Sequence, residues 1–301
     1  MKRLPLGHGQ PGMVLAADAS VGHCLLPPAG SPLTPWHLRR LEELGVQPLD
    51  AREGPQAIPT QRPRPDVTPA RLQFRQRVLR DCPPGRCQAT ALATGEDVLG
   101  LPGVGALLER LRAVDDSLVD HSLAVCATAI ALGSRMGLFT PELKALAVGA
   151  LLHDVGKLAL PQPLWVKPGR LTEEEYRAIQ RHTEAGYRLI RQTGLDLRAA
   201  LVAYQHHERW NGTGYPRGIA RRRIHPFARI VGLVDVFEAL RADRPYRPAC
   251  PFAEAVRYVQ EQAGQAFDPH VAHTFLAWLR EQAGPPGTNP GDAAGTARAA
   301  R

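Results

Sequence analysis

Residues 140–157, TPELKALAVGALLHDVGK, read as a buried helix that ends in a histidine, an aspartate and a glycine turn. Thr140 is expected as the cap and Pro141 at the first helical position, where a missing N–H costs nothing. Leu143, Leu146, Ala147, Ala150 and Leu151 recur at helical spacing and form the buried face. His153 and Asp154 close the helix, and Gly156 supplies the turn after it. An imidazole and a carboxylate at the end of an apolar helix are costly to bury unless each finds a partner. The stretch therefore sets a helical fold class and directs the search toward further histidines and carboxylates.

Outward from it, the spacing is helical from about Gly105 to Arg280. Leu118, His121, Val125, Ala129 and Leu132 share one stripe, so His121 points inward. Thr172-Glu173-Glu174-Glu175 is a capping box for one helix carrying Ile179, His182, Gly186, Leu189 and Ile190. His206-His207 ends an apolar helix that starts near Leu197. Asp235 stands in the run Ile230-Val231-Gly232-Leu233-Val234-Asp235-Val236-Phe237, on a helix from about Ala228 to Leu240. A last helix pair spans 252–262 and 269–280, and no convincing strand interrupts the series. The fold class is mainly α, an all-helical bundle over 105–283.

Ahead of it lies a small α+β module, 1–50. Its strands are expected at Met13-Val14-Leu15-Ala16 and Cys24-Leu25-Leu26, and its helix from Thr34-Pro35 through Leu38, Leu41 and Leu44. Residues 51–104 combine a Pro- and Arg-rich linker, an amphipathic segment at 71–80 and a stretch at 81–104 without assignment. Residues 284–301, rich in Gly, Pro and Ala, read as a disordered tail.

The formal net charge of +8 suits an anionic partner such as a nucleotide. Five scattered cysteines with no CxxC argue against a disulfide framework or a thiolate zinc site, and for a reducing, cytoplasmic setting. No signal-like segment opens the chain and no apolar run approaches the roughly 18 residues of a membrane span. Neither membrane insertion nor DNA binding is expected.

Each inward histidine is weak alone, since a lone one is most often a hydrogen-bonded core residue. Together they form a constellation. His121, His153, Asp154 and Asp235 supply enough ligands for one metal, and His182, His206 and His207 supply a second, with Asp154 able to bridge. Imidazole and carboxylate without thiolate suit transition metals rather than magnesium or calcium. Iron or manganese come first, with zinc, cobalt and nickel open. Two such ions about 3.5–4 Å apart activate a water for in-line attack on phosphorus.

These residues carry a family resemblance. His121 followed by His153-Asp154-Val155-Gly156-Lys157 resembles the HD superfamily of metal-dependent phosphohydrolases. The stretch His206-His207-Glu208-Arg209-Trp210-Asn211-Gly212-Thr213-Gly214-Tyr215-Pro216 resembles its HD-GYP group. So do Asp235-Val236-Phe237-Glu238, Arg244-Pro245-Tyr246-Arg247 and Ala266-Phe267-Asp268-Pro269, over about 170 residues in order. The resemblance implies hydrolysis of cyclic di-GMP to linear pGpG, and leaves GMP open as a further product. It implies the seven metal ligands above, with Lys157 beside them as a catalytic charge. It makes Gly214, Tyr215 and Pro216 part of the substrate pocket. Arg244 and Arg247, one turn apart, are expected to contact phosphate or guanine. Arg221-Arg222-Arg223 reads as a solvated face.

Two positions depart from the family. Ser117 stands where some members carry a glutamate for a third ion, and Asn211 where many carry aspartate. The competing readings are a low-turnover cyclic di-GMP receptor and a hydrolase of another cyclic dinucleotide. A homodimer or a signalling partner on the N-terminal module also stays open.

Overall fold

A computed structural model describes residues 2–4, 14–15, 20–21, 24–25, 49–52, 67–82, 85–162, 164, 171–243 and 248–283. The chain divides at Arg64/Pro65 into two units. In the first, β1 (Lys2–Leu4), β5 (Leu49–Arg52) and β2 (Val14–Leu15) form an antiparallel sheet in the order β1-β5-β2, with Lys2 opposite Ala51 and Val14 opposite Arg52. β3 (Ser20–Val21) pairs with β4 (Cys24–Leu25). The expected strands thus reappear, shortened. The helix expected from Thr34 lies outside the described residues, as do the expected tail and most of the linker.

The second unit is helical. Its helices are α1 (Thr68–Asp81), α2 (Arg86–Leu99), α3 (Pro102–Val114), α4 (Asp116–Arg135) and α5 (Thr140–Leu152). Then come α6 (Glu173–Gln180), α7 (His182–Gln192), α8 (Leu197–Gln205), α9 (Pro226–Arg241), α10 (Phe252–Gln262) and α11 (Pro269–Ala283). A short 3-10 turn, Val155–Ala159, follows α5.

Helix α4 is the axis of the bundle. Every residue from 122 to 133 is buried. It is long and apolar enough to cross a membrane, but 78% of its apolar window is covered inside the bundle, as befits a core helix. Helix α5 starts one residue earlier than its sequence suggests: Phe139 is the cap, and its N–H donates to Glu142 Oε2 at 3.0 Å. It is buried on all sides from Ala145 to Leu152, not on one face. The reason is that α4 and α8 cover it on some sides, and α2 and α3 on others. A helix apolar all round is what such a position demands.

The stretch 81–104, unassigned in the sequence, therefore supplies part of the wall around the central helix. Helix α1 joins the same core: Ala70, Phe74 and Val78 are buried at i, i+4 spacing. Phe74 is fully buried and lies over Gly95 of α2, where a Cβ would come within 2.0 Å of its ring. Phe74→Ala is expected to cost about 3–5 kcal/mol of unfolding free energy in chemical denaturation. A loss within about 0.5 kcal/mol, the range of neutral surface changes, would show that α1 lies outside the cooperative unit.

The single helix expected over 173–192 is two. It breaks at Arg181, which ends α6, and His182 opens α7. The predicted capping box is present, with Thr172 Oγ1 accepting the Glu175 N–H and Glu175 Oε2 accepting the Thr172 N–H.

Candidate metal centre

The seven donor-type residues come from five places in the chain and meet at one point. His121 is on α4, His153 and Asp154 end α5, His182 opens α7, His206 and His207 follow α8, and Asp235 is on α9. Their ligand atoms fall into two groups, each within 4.8 Å: Asp154, His182, His206 and His207, and then His121, His153 and Asp235. Asp154 faces both. Its Oδ1 lies 3.5 Å from His182 Nε2 and 4.0 Å from His206 Nε2. Its Oδ2 lies 3.5 Å from His153 Nε2, which is in turn 3.7 Å from Asp235 Oδ1.

A glycine makes this convergence possible. A Cβ at Gly156 would fall 1.8 Å from His182 O and 2.5 Å from Gly186 N. The turn after Asp154 can lie against the start of α7 only because residue 156 has no side chain.

Hydrogen bonds orient the rings. His153 Nδ1 donates to Ala150 O at 2.8 Å, and His182 Nδ1 to Ile179 O at 2.7 Å. His206 Nδ1 donates to Ala203 O at 3.1 Å and Val202 O at 3.2 Å. A carbonyl can only accept, so each Nδ1 carries a proton, and a neutral ring then presents Nε2 as a bare lone pair. Burial holds His182 below its ordinary range and His206 well below it, and pushes His207 down to about 4. His182 Nε2 and His206 Nε2 nevertheless face one another at 3.4 Å. His153 Nε2 is buried with no hydrogen-bond partner. Converging lone pairs and an orphaned buried nitrogen are what a cation would satisfy, so the donor set fits divalent transition metals.

The carboxylates are ionised. Burial pushes the Asp154 carboxyl up, but the Lys157 ammonium, with His153 and His182, holds it well below the usual range. Lys157 Nζ donates to Asp154 Oδ2 at 2.6 Å. Asp235 is likewise opposed by burial, yet the hydrogen bond from His121 Nε2 at 2.8 Å and the charge near His153 keep it low. At His153 the balance runs the other way: burial disfavours charge, but Asp154 and Asp235 raise its affinity for a proton. Positive charge is wanted there.

The loop after His207 borders the cluster. The Tyr215 ring stacks on His207 at 4.7 Å and meets His182 edge-on at 6.5 Å. One of its faces is therefore already used by a histidine of the cluster. Gly214 packs on the chain itself, since a Cβ there would meet Arg209 N and His207 O at 2.4 Å. Its missing side chain lets the loop seat against residues 207–209. Asn211 Oδ1 accepts from Thr213 N–H at 3.1 Å and Thr213 Oγ1 at 2.8 Å, a turn that aspartate would also make. Pro216 follows a cis peptide bond. Arg244 and Arg247 lie outside the described residues. Ser117 is exposed one turn before His121, with its N–H on Asp115 Oδ1 at 2.8 Å. Arg221, Arg222 and Arg223 are exposed, as expected.

Two acidic residues escaped the sequence reading. Glu208 is buried and accepts the N–H groups of Arg217 at 2.7 Å and Ile219 at 3.1 Å, which ties the far end of the loop to the helix-end histidines. Glu238 is buried one turn beyond Asp235, accepts Thr128 Oγ1 at 2.7 Å and pairs with Arg77 of α1. An acid inside the apolar run after Asp235 was the available signal for the second.

The HD domain family model matches residues 106–271. The chain is 41% identical over 184 residues to the cyclic di-GMP phosphodiesterase PA4108 of Pseudomonas aeruginosa, an alignment covering 60% of this chain and 43% of that protein. It is 40% identical over 149 residues to the cyclic di-GMP phosphodiesterase response regulator RpfG of Xanthomonas campestris, covering 48% of this chain and 39% of RpfG. It is 41% identical over 120 residues to the 3'3'-cGAMP-specific phosphodiesterase 3 of Vibrio cholerae, covering 40% of this chain and 26% of that protein. The chain spans less than half the length of each of these relatives.

Proposed function

The chain belongs to the HD domain family, in the HD-GYP group that its motifs resemble, and on that footing we propose a metal-dependent phosphodiesterase that hydrolyses cyclic di-GMP. The product is linear pGpG, with GMP open as a further one. The observation that carries this reading is the two donor groups on either side of Asp154. When bound, two divalent ions would supply Lewis acidity and a hydroxide nucleophile at neutral pH for in-line attack on phosphorus. Iron or manganese are the first choice, with zinc, cobalt and nickel open.

The chain's own residues divide the work. His121, His153 and Asp235 would hold one ion, and His182, His206 and His207 the other, with Asp154 able to serve both. Lys157 sits against Asp154 and offers a cation to the scissile phosphate oxygens. Tyr215, seated by Gly214 and Pro216, lines the substrate side of His207, and Arg244 and Arg247 meet phosphate or guanine.

A second substrate is favoured by one specific finding, the 41% identity to the 3'3'-cGAMP-specific enzyme. Both substrates should be offered to anaerobically purified protein, with metals counted in the same sample. Turnover with about two ions per chain is expected, since Ser117 offers no carboxylate for a third. Three tightly bound ions in active protein would refute the dinuclear assignment. Two ions with tight nucleotide binding and no turnover would make the protein a receptor.

A further inference from the structure

Beside the donor cluster, the segment from His206 to Tyr215, one face of α9 and residues 266–268 border a cavity of about 260 Å3 that shares His206, His207 and Tyr215 with the site described above. Pockets that bury a whole drug-sized ligand measure roughly 300–1,000 Å3. This one is sized for a single ring system, not for an entire cyclic dinucleotide.

Its walls are flat and aromatic. Tyr215 and His207 border both the cavity and the donor cluster, and Tyr176 of α6 meets Tyr215 edge-on at 6.1 Å. Trp210 of the loop and Tyr258 of α10 also line it, the Tyr258 ring 6.4 Å from Phe267. Toward α9 the lining is small or aliphatic, with Ala228, Gly232 and Val236. Aromatic faces of this kind stack nucleobases.

The polar groups sharpen the choice of base. Two guanidinium groups line the cavity, Arg209 and Arg229. Arg229 is committed within the fold: its Nε donates to Ile224 O at 3.1 Å, Nη1 pairs with Asp268, and the group lies 5.8 Å over Trp210. Arg209 is exposed. Guanine presents two acceptors, O6 and N7, on one edge, and a guanidinium matches both. Adenine sets an amino donor in place of O6 and meets the same cation badly.

We propose that this cavity is a guanine pocket: the base packs against the aromatic lining that includes Trp210 and Tyr258 and Arg209 reads its O6/N7 edge, while the phosphodiester lies at the donor cluster. The proposal rests on the nucleotide-hydrolase reading above and adds to it the group that fixes the substrate's position. It applies to any cyclic dinucleotide with at least one guanine.

The test uses guanosine and adenosine, which carry no phosphate for the donor cluster, titrated into the full chain and followed by tryptophan fluorescence. Guanosine is expected to quench Trp210, adenosine to bind at least tenfold more weakly, and Trp210→Phe to remove the signal. Tyr258→Ala should weaken guanosine at least tenfold with an unchanged thermal midpoint, which a purely structural role for the side chain would not predict, and Tyr258→Phe, which keeps the ring, should restore binding. With cyclic di-GMP, Tyr258→Ala should raise KM at least tenfold while kcat falls less than threefold. Equal affinity for the two nucleosides, or unchanged guanosine affinity in Tyr258→Ala, overturns the pocket and leaves the hydrolase reading intact. Selective guanosine binding without turnover of any cyclic dinucleotide overturns the hydrolase reading and leaves the pocket standing.

Discussion

Asp154→Ala is expected to abolish metal loading and turnover together. Asp154 is the residue that faces both donor groups, with Oδ1 toward His182 and His206 and Oδ2 toward His153. Removing it takes a ligand from each ion and leaves Lys157 without the carboxylate it contacts. Losing an outer partner of a metal ligand already costs about 10–100-fold in affinity. Losing a shared ligand should exceed that at both positions, so the purified variant should hold well under one ion per chain by elemental analysis. Its helical content should persist, because the α4 and α5 core does not depend on this side chain. His121→Ala is the contrast, since His121 belongs to one group alone. A variant lacking Asp154 that still carries two ions would remove the bridging assignment.

Part of the donor set was legible in the sequence because some members occupy positions where helical spacing calls for an apolar residue, and others close an apolar helix. His121 on the α4 stripe and Asp235 in the α9 run are such misfits, and the fold buries or half-buries them all. The helical class followed from the same periodicity. What could not be read has physical reasons too. The stretch 81–104 is rich in Ala, Thr and Gly, so its apolar period is faint, yet α2 forms there because it completes the wall around α5. The break at Arg181 carries no Gly or Pro; it is a tertiary demand, set by the turn at Gly156 that packs on His182. Gly214 and Glu208 act through contacts with the chain's own backbone, which no spacing rule announces.

Lys157→Met should keep both metals and lose rate. The case turns on what holds Asp154 ionised. Burial opposes its charge, and Lys157 leads the groups that overcome it. Divalent ions on either side of Asp154 would supply more positive charge than one ammonium, so ion binding should survive the loss of Lys157. The ammonium then matters for the substrate, where it balances charge that grows on the phosphate oxygens in the transition state. Removing one such stabilising donor costs about 10²–10³-fold in kcat. Because the interaction strengthens only in the transition state, KM should change little. The methionine keeps the length and apolar bulk of the lysine stem, so packing around the 3-10 turn is preserved. Measured side by side with the parent protein, full metal content with a loss of this size supports the charge role. Loss of the metals would instead make Lys157 a group that keeps Asp154 ready to ligate, and an unchanged rate would leave it a structural partner of Asp154 alone.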